Sequence, residues 1–418
     1  MTANPKTLYT YAGIDSHADT QTAVFLDCFF TKVGEVQFEN RLSKFGKFLN
    51  DAEKLKIPGT SLLFGMEDIS AYGRALTVFL KGKGYKVKHV NASLVAHERK
   101  NQNVPQKTDA IDAECVARTL LSKFESLPDA APDDKYWVLR TLVIRRESIV
   151  KQNISLKNHL HTLINDHYPS YGKIFANIDC KTSLAFLSEY PSPYALRKAC
   201  TKELDGMLWE LSNGRAGVNK AQRIFDIIEQ DGNLVSDYQD ARDNAVRSTI
   251  RQLVFNQGEI DGLEKELADF LELFDYPLTS MKGISTVMAA RLISCIGDIK
   301  KFPTPGKLSR YAGVAPITYS SGKKDVRYSN QRGNRELNSL FYHLSVLVTM
   351  KAGRHNKIIN PILYDYYHKK QAEGKTKRQS LKCVQRRLVN IIWGIMTYNQ
   401  PYINPPSYNL PEDEGKKA

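Results

Sequence analysis

Four acidic residues constrain this chain more than anything else in it. Asp15 closes the run Tyr11-Ala12-Gly13-Ile14, and Glu67 closes Leu62-Leu63-Phe64-Gly65-Met66. Asp109 and Asp112 stand three apart at the head of a helical pattern, Lys107-Thr108-Asp109-Ala110-Ile111-Asp112-Ala113-Glu114. Residues i and i+3 share a helix face, so two carboxylates placed there repel each other. Open α/β sheets carry their sites beyond the C-terminal ends of strands, where the first two acids fall. The bland reading makes Asp15 a turn residue and Asp109 a helix start, since Thr-Asp before an apolar-periodic run is a start signal.

The surrounding pattern predicts an α/β domain over residues 8–125. Leu8–Ile14, Gln21–Asp27, Ser61–Met66 and Tyr85–Val90 read as strands, with Gln21–Asp27 antiparallel to the first. Arg41–Leu55, Tyr72–Lys81 and Asp109–Phe124 have helical spacing. The Pro/Asp-rich stretch Leu127–Asp134 ends this domain. A long helix follows, with Leu142, Ile149, Leu156 and Leu163 every seven residues and Leu160 beside them; Arg146 and Asn153 interrupt that seam. Further helices are expected over 170–250 and 260–274. Pro277–Ile299 reads as a helix–turn–helix unit, Lys307–Asn330 as loop and short strand, and 335–350 and 381–397 as helices. The tail, 401–418, is expected to be disordered.

Charge is distributed unevenly along the 418 residues. The net formal charge is +14, yet residues 301–400 hold 19 Lys/Arg against 4 Asp/Glu, a net of +15. The remainder therefore sums to about −1, and the C-terminal part is where a polyanion would be met. Six scattered cysteines with no Cys-x-x-Cys pair argue against a zinc site or a disulfide framework. The N-terminus has no signal-peptide pattern and no apolar run approaches a membrane span, so a cytoplasmic protein without membrane contact is expected.

Within the basic part, Tyr319-Ser320-Ser321-Gly322-Lys323-Lys324 sets a serine before a glycine. Gly322 would let a backbone approach, and Lys323, Lys324 and Arg327 could stabilise phosphate charge. The plain alternative is a solvated Ser-Gly turn. Arg327-Tyr328-Ser329-Asn330-Gln331-Arg332-Gly333-Asn334-Arg335 interleaves cations, amides and an aromatic, a composition suited to nucleic-acid backbone contact. His17 reads as a structural or polar loop residue rather than a ligand.

Taken in order, Gly-Ile-Asp, the strand-ending Glu67, Lys-Thr-Asp-Ala-Ile-Asp-Ala, Ala-Gly-Val-Ala-Pro, Ser-Gly and Arg-Gly-Asn resemble the DEDD transposases of the IS110 insertion-sequence family and the related pilin-gene invertases. The resemblance covers the N-terminal domain, the long helix and residues 278–350. It implies a RuvC-like (ribonuclease-H-like) α/β catalytic domain at 1–135, a helical coiled-coil dimerisation region at 136–275, and a mainly α transposase domain with a helix-hairpin-helix at 276–400. It implies that Asp15, Glu67, Asp109 and Asp112 hold Mg2+ (or Mn2+), and that Ser321, with Ser320 as the neighbouring candidate, attacks a DNA phosphodiester to form a phosphoserine link. Acids and metal contributed in trans across a homodimer would activate that serine, and two dimers would form the synapse. Donor and target DNA would be paired by a guide (bridge) RNA, with Lys107, Lys323, Lys324, Arg327, Arg332 and Arg335 against nucleic acid. Ser285 departs from the usual Gly-x-Gly of the hairpin, and Asp68-Ile69-Ser70 follows Glu67 where small residues are common. Two rival readings remain: a hydrolytic RuvC-like nuclease using the acids alone, and a non-enzymatic nucleic-acid scaffold.

Overall fold

A computed structural model describes residues 4–69, 71–102, 108–130, 134–197, 199–214, 219–232, 237–321, 324–328, 330, 333–352 and 356–403. For 318–321, 324–328, 134 and 352 the description is of backbone alone. The chain divides into two compact units, 1–137 and 138–418.

In the first unit, β1 (Tyr9–Ser16), β2 (Thr20–Leu26) and β3 (Lys32–Glu39) precede α1 (Leu42–Lys54). Then come β4 (Ser61–Met66), α2 (Arg74–Gly82), β5 (Lys86–His89), α3 (Ala92–Asn101) and α4 (Asp109–Lys123). The five strands form one sheet in the order β3-β2-β1-β4-β5. β1 and β2 pair antiparallel, as do β2 and β3, while β1–β4 and β4–β5 are parallel. β1 and β4 are buried along most of their length because both sheet faces are covered. On one face Phe45, Phe48, Leu76 and Leu80 of α1 and α2 pack with Ile14, Phe25 and Phe64. On the other, Val95 of α3 and Cys115, Val116 and Leu120 of α4 pack with Tyr11 and Leu63.

Two elements here were not expected. β3 carries charges and only its alternate residues are half-buried, so it lacks the apolar run of a central strand. α3 buries Val95 alone, which leaves little periodicity to read. β1 also runs one residue past Asp15, which pairs with Thr22, so this acid stands inside the strand end rather than beyond it.

The second unit is mostly helical. α5 (Asp134–His167) leads into it, followed by α6 (Tyr171–Ile174), α7 (Lys181–Glu189), α8 (Pro193–Leu196), α9 (Thr201–Leu211) and α10 (Lys220–Asp231). The expected helix at 260–274 is the end of a longer one, α11 (Gln239–Leu271). The two residues that interrupt the seam of α5 find partners on α11 of the same chain. The Arg146 Nε donates to Glu264 at 2.9 Å, and the buried Asn256 Nδ2 donates to Asn153 Oδ1 at 2.9 Å.

The helix–turn–helix expected over 277–299 is different in detail. Its first arm is only a 3-10 turn, Leu278–Ser280, and its second is α12 (Thr286–Ile296). Ser285, which stands where the motif has its second glycine, is the N-cap of α12 and accepts from the Met288 amide at 3.2 Å. The stretch read as loop and short strand begins instead within α13 (Pro305–Tyr311); its short strands are β6 (Ile317–Ser321) and β7 (Lys324–Tyr328), a two-stranded hairpin. α14 (Arg335–Thr349), the unexpected α15 (Pro361–Ala372) and α16 (Lys377–Tyr398) complete the unit. Most of the tail expected to be disordered, 404–418, lies outside the described residues. No described helix is long and apolar enough to cross a membrane.

Candidate active site

Strand register brings the first two acids level. Ile14 of β1 pairs with Met66 of β4, so the next residues, Asp15 near the end of β1 and Glu67 just past β4, stand level at the same end of the sheet. α4 brings the other two. A glycine makes its approach possible: a Cβ on Gly13 would lie 2.2 Å from the Ala117 amide nitrogen and 2.3 Å from the Ala113 carbonyl oxygen. Only a residue without a side chain lets the helix backbone rest on the strand at this point. Thr108 caps α4, accepting from the Ile111 amide at 3.3 Å, and puts Asp109 and Asp112 in its first turn. The positive end of the helix dipole offsets part of their charge.

The residue that ties the cluster together is His17. It sits in the turn after β1, its amide donating to the Thr20 carbonyl at 3.0 Å. Its Nε2 lies 3.1 Å from Asp15 Oδ2 and 3.3 Å from Asp109 Oδ1. Ligand atoms of Asp15, His17 and Asp109 all fall within 4.8 Å of one another. His17 lies in a loop, as expected, and its ring bridges two of the acids. Its spacing, two residues after a strand-end aspartate, was the available signal. On the other side, Arg99 of α3 donates to Asp112 Oδ1 at 2.7 Å.

Electrostatics joins all four acids. Burial pushes the Asp15 carboxyl above the usual carboxylate range; His17 pulls it back, while Asp112 and Asp109 push it further up. Burial likewise raises Glu67, reinforced by Asp15 and Asp112 and opposed by Arg99. Asp15 and Glu67, partly buried and repelled by neighbouring carboxylates, are disfavoured in their charged forms unless a cation joins them. Oxygen donors of this kind suit Mg2+, and an imidazole nitrogen beside them is also acceptable to Mn2+.

The serine lies in the second unit. Ser321 is the last residue of β6, opposite Lys324, where the hairpin turns; Ser320 pairs with Asp325. The side chains of Ser320, Ser321, Lys324 and Arg327 are not described, and Lys107, Lys323 and Arg332 lie outside the described residues. Arg335 opens α14 and is exposed.

The base of this hairpin has a defined structure that sequence reasoning missed. The Asn334 amide donates to the Tyr311 carbonyl at 2.7 Å. Asn338 Nδ2 donates to the Ala312 carbonyl at 2.9 Å, and Asn330 Nδ2 to the Arg310 carbonyl at 3.0 Å. Gly313 has φ of +66°, and a Cβ on Gly333 would lie 2.3 Å from its nitrogen. The Ala-Gly-Val-Ala-Pro stretch and Gly333-Asn334 are therefore the two sides of one clasp. No spacing rule connects them, although their asparagines were in view.

Residues 12–169 match a family model of DEDD transposases of IS110 type, and residues 275–367 match the model described as the transposase IS116/IS110/IS902 family. The chain is 30% identical over 301 residues to a 43.6 kDa protein of insertion element IS110 from Streptomyces coelicolor, covering 69% of this chain and 70% of that protein. The chain belongs to the IS110/IS116 family of transposases. A 44.8 kDa protein of insertion element IS116 from Streptomyces clavuligerus is 28% identical over 335 residues, 79% of this chain and 81% of that protein. A pilin gene-inverting protein from Moraxella bovis is 28% identical over 127 residues, 30% of this chain and 37% of that protein. The two models bracket the family's shared parts in this transposase, the α/β unit with its acids and the region of the clasp and hairpin.

Proposed function

We propose that this transposase cuts and rejoins DNA through a covalent serine link, with a divalent ion held by Asp15, Glu67, Asp109 and Asp112 in a RuvC-like domain. The observation that carries the reading is the convergence of Asp15, His17 and Asp109 within 4.8 Å, with Glu67 and Asp112 in the same repelling group. A bound Mg2+ or Mn2+ would supply charge stabilisation for attacking and leaving oxygens. The four acids orient that charge, and Arg99 steadies Asp112.

In this reading Ser321 is the nucleophile. Its hydroxyl proton is lost, the serine oxygen bonds to phosphorus, and the bond from phosphorus to the leaving DNA oxygen breaks as that oxygen is protonated. Attack by another strand's hydroxyl reverses the step and frees the serine, so strands are exchanged without hydrolysis. Residues 1–135 supply the acids, 136–275 dimerise, and 276–400 carry the serine, followed by the tail at 401–418. Acids of one copy act on the serine of another in a homodimer, and two dimers make the synapse. Lys107, Lys323, Lys324, Arg327, Arg332 and Arg335 hold nucleic acid. A bridge RNA in the cytoplasm pairs with donor and target DNA, which leaves the protein to hold backbones rather than read bases.

The test uses the full chain with Mg2+, a candidate element RNA, and donor and target DNA. Ser321→Ala should lose the denaturant-stable protein–DNA adduct and lower recombination by about 10³-fold or more. Asp109→Asn should lose both as well. Unchanged DNA cleavage in the serine variant, with none in the aspartate variant, would identify a hydrolytic nuclease instead.

A further inference from the structure

A cavity of about 600 Å³ opens beside the foot of the serine hairpin. It is lined by Thr304, Gly306, Lys307 and Arg310 of the α13 segment, by Ala315 and Pro316, and by Arg386 of α16. Three cations from two helices thus face one space whose lining includes no carboxylate. Lys307, Arg310 and Arg386 are all exposed, and among the described residues none of them forms an ion pair. Elsewhere in this unit half-buried cations do find an acid, as Lys370 and Lys375 find Glu373. Three like charges gathered without a counter-charge raise the local potential, and an anion entering between them relieves it.

The scaffold behind these cations is firm. α13 starts at Pro305 with Thr304 as its cap, and buries Leu308 and Ser309. Asn330 fixes the Arg310 carbonyl, so the end of the pocket is joined to the clasp under the hairpin. Trp393 of α16 donates to the Phe302 carbonyl at 2.7 Å, holding the Arg386 helix against the segment that leads into α13. The wall residue Pro316 directly precedes β6, and five residues of strand reach about 16 Å from it to Ser321. That length is roughly five base-pair steps of 3.4 Å.

We propose that Lys307, Arg310 and Arg386 form a binding pocket for a backbone phosphodiester of a nucleic-acid strand, set a few nucleotides from the bond that the hairpin serine attacks. Guanidinium groups give paired, planar donors to phosphate oxygens, and Lys307 adds a point charge. The pocket carries no base-reading geometry; its work is to fix the register of a strand. The inference rests on the reading that this unit meets nucleic acid.

The test measures binding of the full chain to a fluorescein-labelled 30-base-pair duplex DNA and to an RNA hairpin of similar size, in EDTA, over a series of salt concentrations. The variant Lys307→Ala/Arg310→Ala/Arg386→Ala should bind at least one of these polymers about tenfold or more weakly. Its plot of log affinity against log salt should be shallower by about one for each phosphate that the variant no longer neutralises. Arg310→Lys/Arg386→Lys should retain the wild-type salt slope, and circular dichroism of each variant should match the wild type. The polymer whose slope changes identifies the strand as DNA or RNA. An unchanged slope for both polymers in the triple variant overturns the pocket, as does an equal loss in Lys181→Ala/Lys202→Ala/Lys265→Ala, which removes three exposed cations elsewhere. Failure of the wild type to bind either polymer removes the wider nucleic-acid reading, and the pocket with it.

Discussion

A side-chain carbon on Gly13 would lie 2.2 Å from the backbone nitrogen of Ala117. β1 and α4 therefore meet with only hydrogen between them, and this contact is what sets Asp109 and Asp112 beside Asp15. Gly13→Ala forces two backbones apart, which no rotamer change can relieve. It should cost about 3 kcal/mol or more, beyond the usual range for overpacking. Gly46→Ala, on an exposed position of α1 with nothing within 4 Å, should instead stabilise by about 0.5–1 kcal/mol. Chemical denaturation of both variants checks the pair, and a mild effect at Gly13 would refute the close-contact argument.

The acid cluster should weaken the metal-free fold at neutral pH. Asp15 and Glu67 have folded-state values above the ordinary carboxylate range. Their contribution to stability is thus fully present below the ordinary values and is lost as pH rises through the raised ones. Asp15→Asn and Glu67→Gln remove that loss. In EDTA at neutral pH each should be more stable than wild type by about 0.5–2 kcal/mol, with the gap closing towards pH 4. Melting temperatures over a pH series measure it, and a gap that does not change with pH contradicts the assignment.

Divalent ions should reverse this order. An ion bound only by the folded state adds about 2.7 kcal/mol at one hundred times its dissociation constant. Mg2+ or Mn2+ should raise the melting temperature of the wild type and have little effect on Asp15→Asn or Asp109→Asn. His17→Ala removes the nitrogen that lies between these two acids, so it should reduce the Mn2+ response more than the Mg2+ response. Equal responses to both ions in wild type and His17→Ala would show that the ring is not a ligand.

The clasp below the hairpin should be separable from the acids. Gly333→Ala places a carbon 2.3 Å from the Gly313 nitrogen, and Asn338→Ala removes the amide that holds the Ala312 carbonyl. Both should lower recombination and adduct formation, the first by about 10²-fold or more, since a displacement of about 1 Å has that effect on a positioned group. Thermal shifts with Mn2+ should stay at the wild-type value in both, because the acids belong to the other unit. Loss of the Mn2+ response in Gly333→Ala would point to global misfolding instead.

The acids were legible because each follows a strong local signal: two apolar runs ending in an acid, and a Thr-Asp helix start. That they share one end of the sheet was implied by the family resemblance and not by local spacing, since it depends on the Ile14–Met66 register and on Gly13. β3 escaped because an edge strand with alternate half-buried residues has no apolar run. α15 escaped because it buries only Ile362 and Leu363 near its start. Arg146 and Asn153 looked like faults in a heptad seam; their partners Glu264 and Asn256 are more than a hundred residues away, beyond any periodicity. His17 is the sharpest lesson. It lies in a loop, as expected, yet its ring joins two residues 94 positions apart in the chain, a distance no local pattern spans.

The buried amide pair Asn153–Asn256 has a mechanical meaning as well. Sliding α5 by one turn along α11 would leave two buried amides without partners, a penalty of about 1–3 kcal/mol for each. The two helices are in effect keyed together, like a spline on a shaft, in one axial register. At 1.5 Å per residue, the 34 residues of α5 make a bar of about 51 Å. The amide pair sets where along that bar α11 lies.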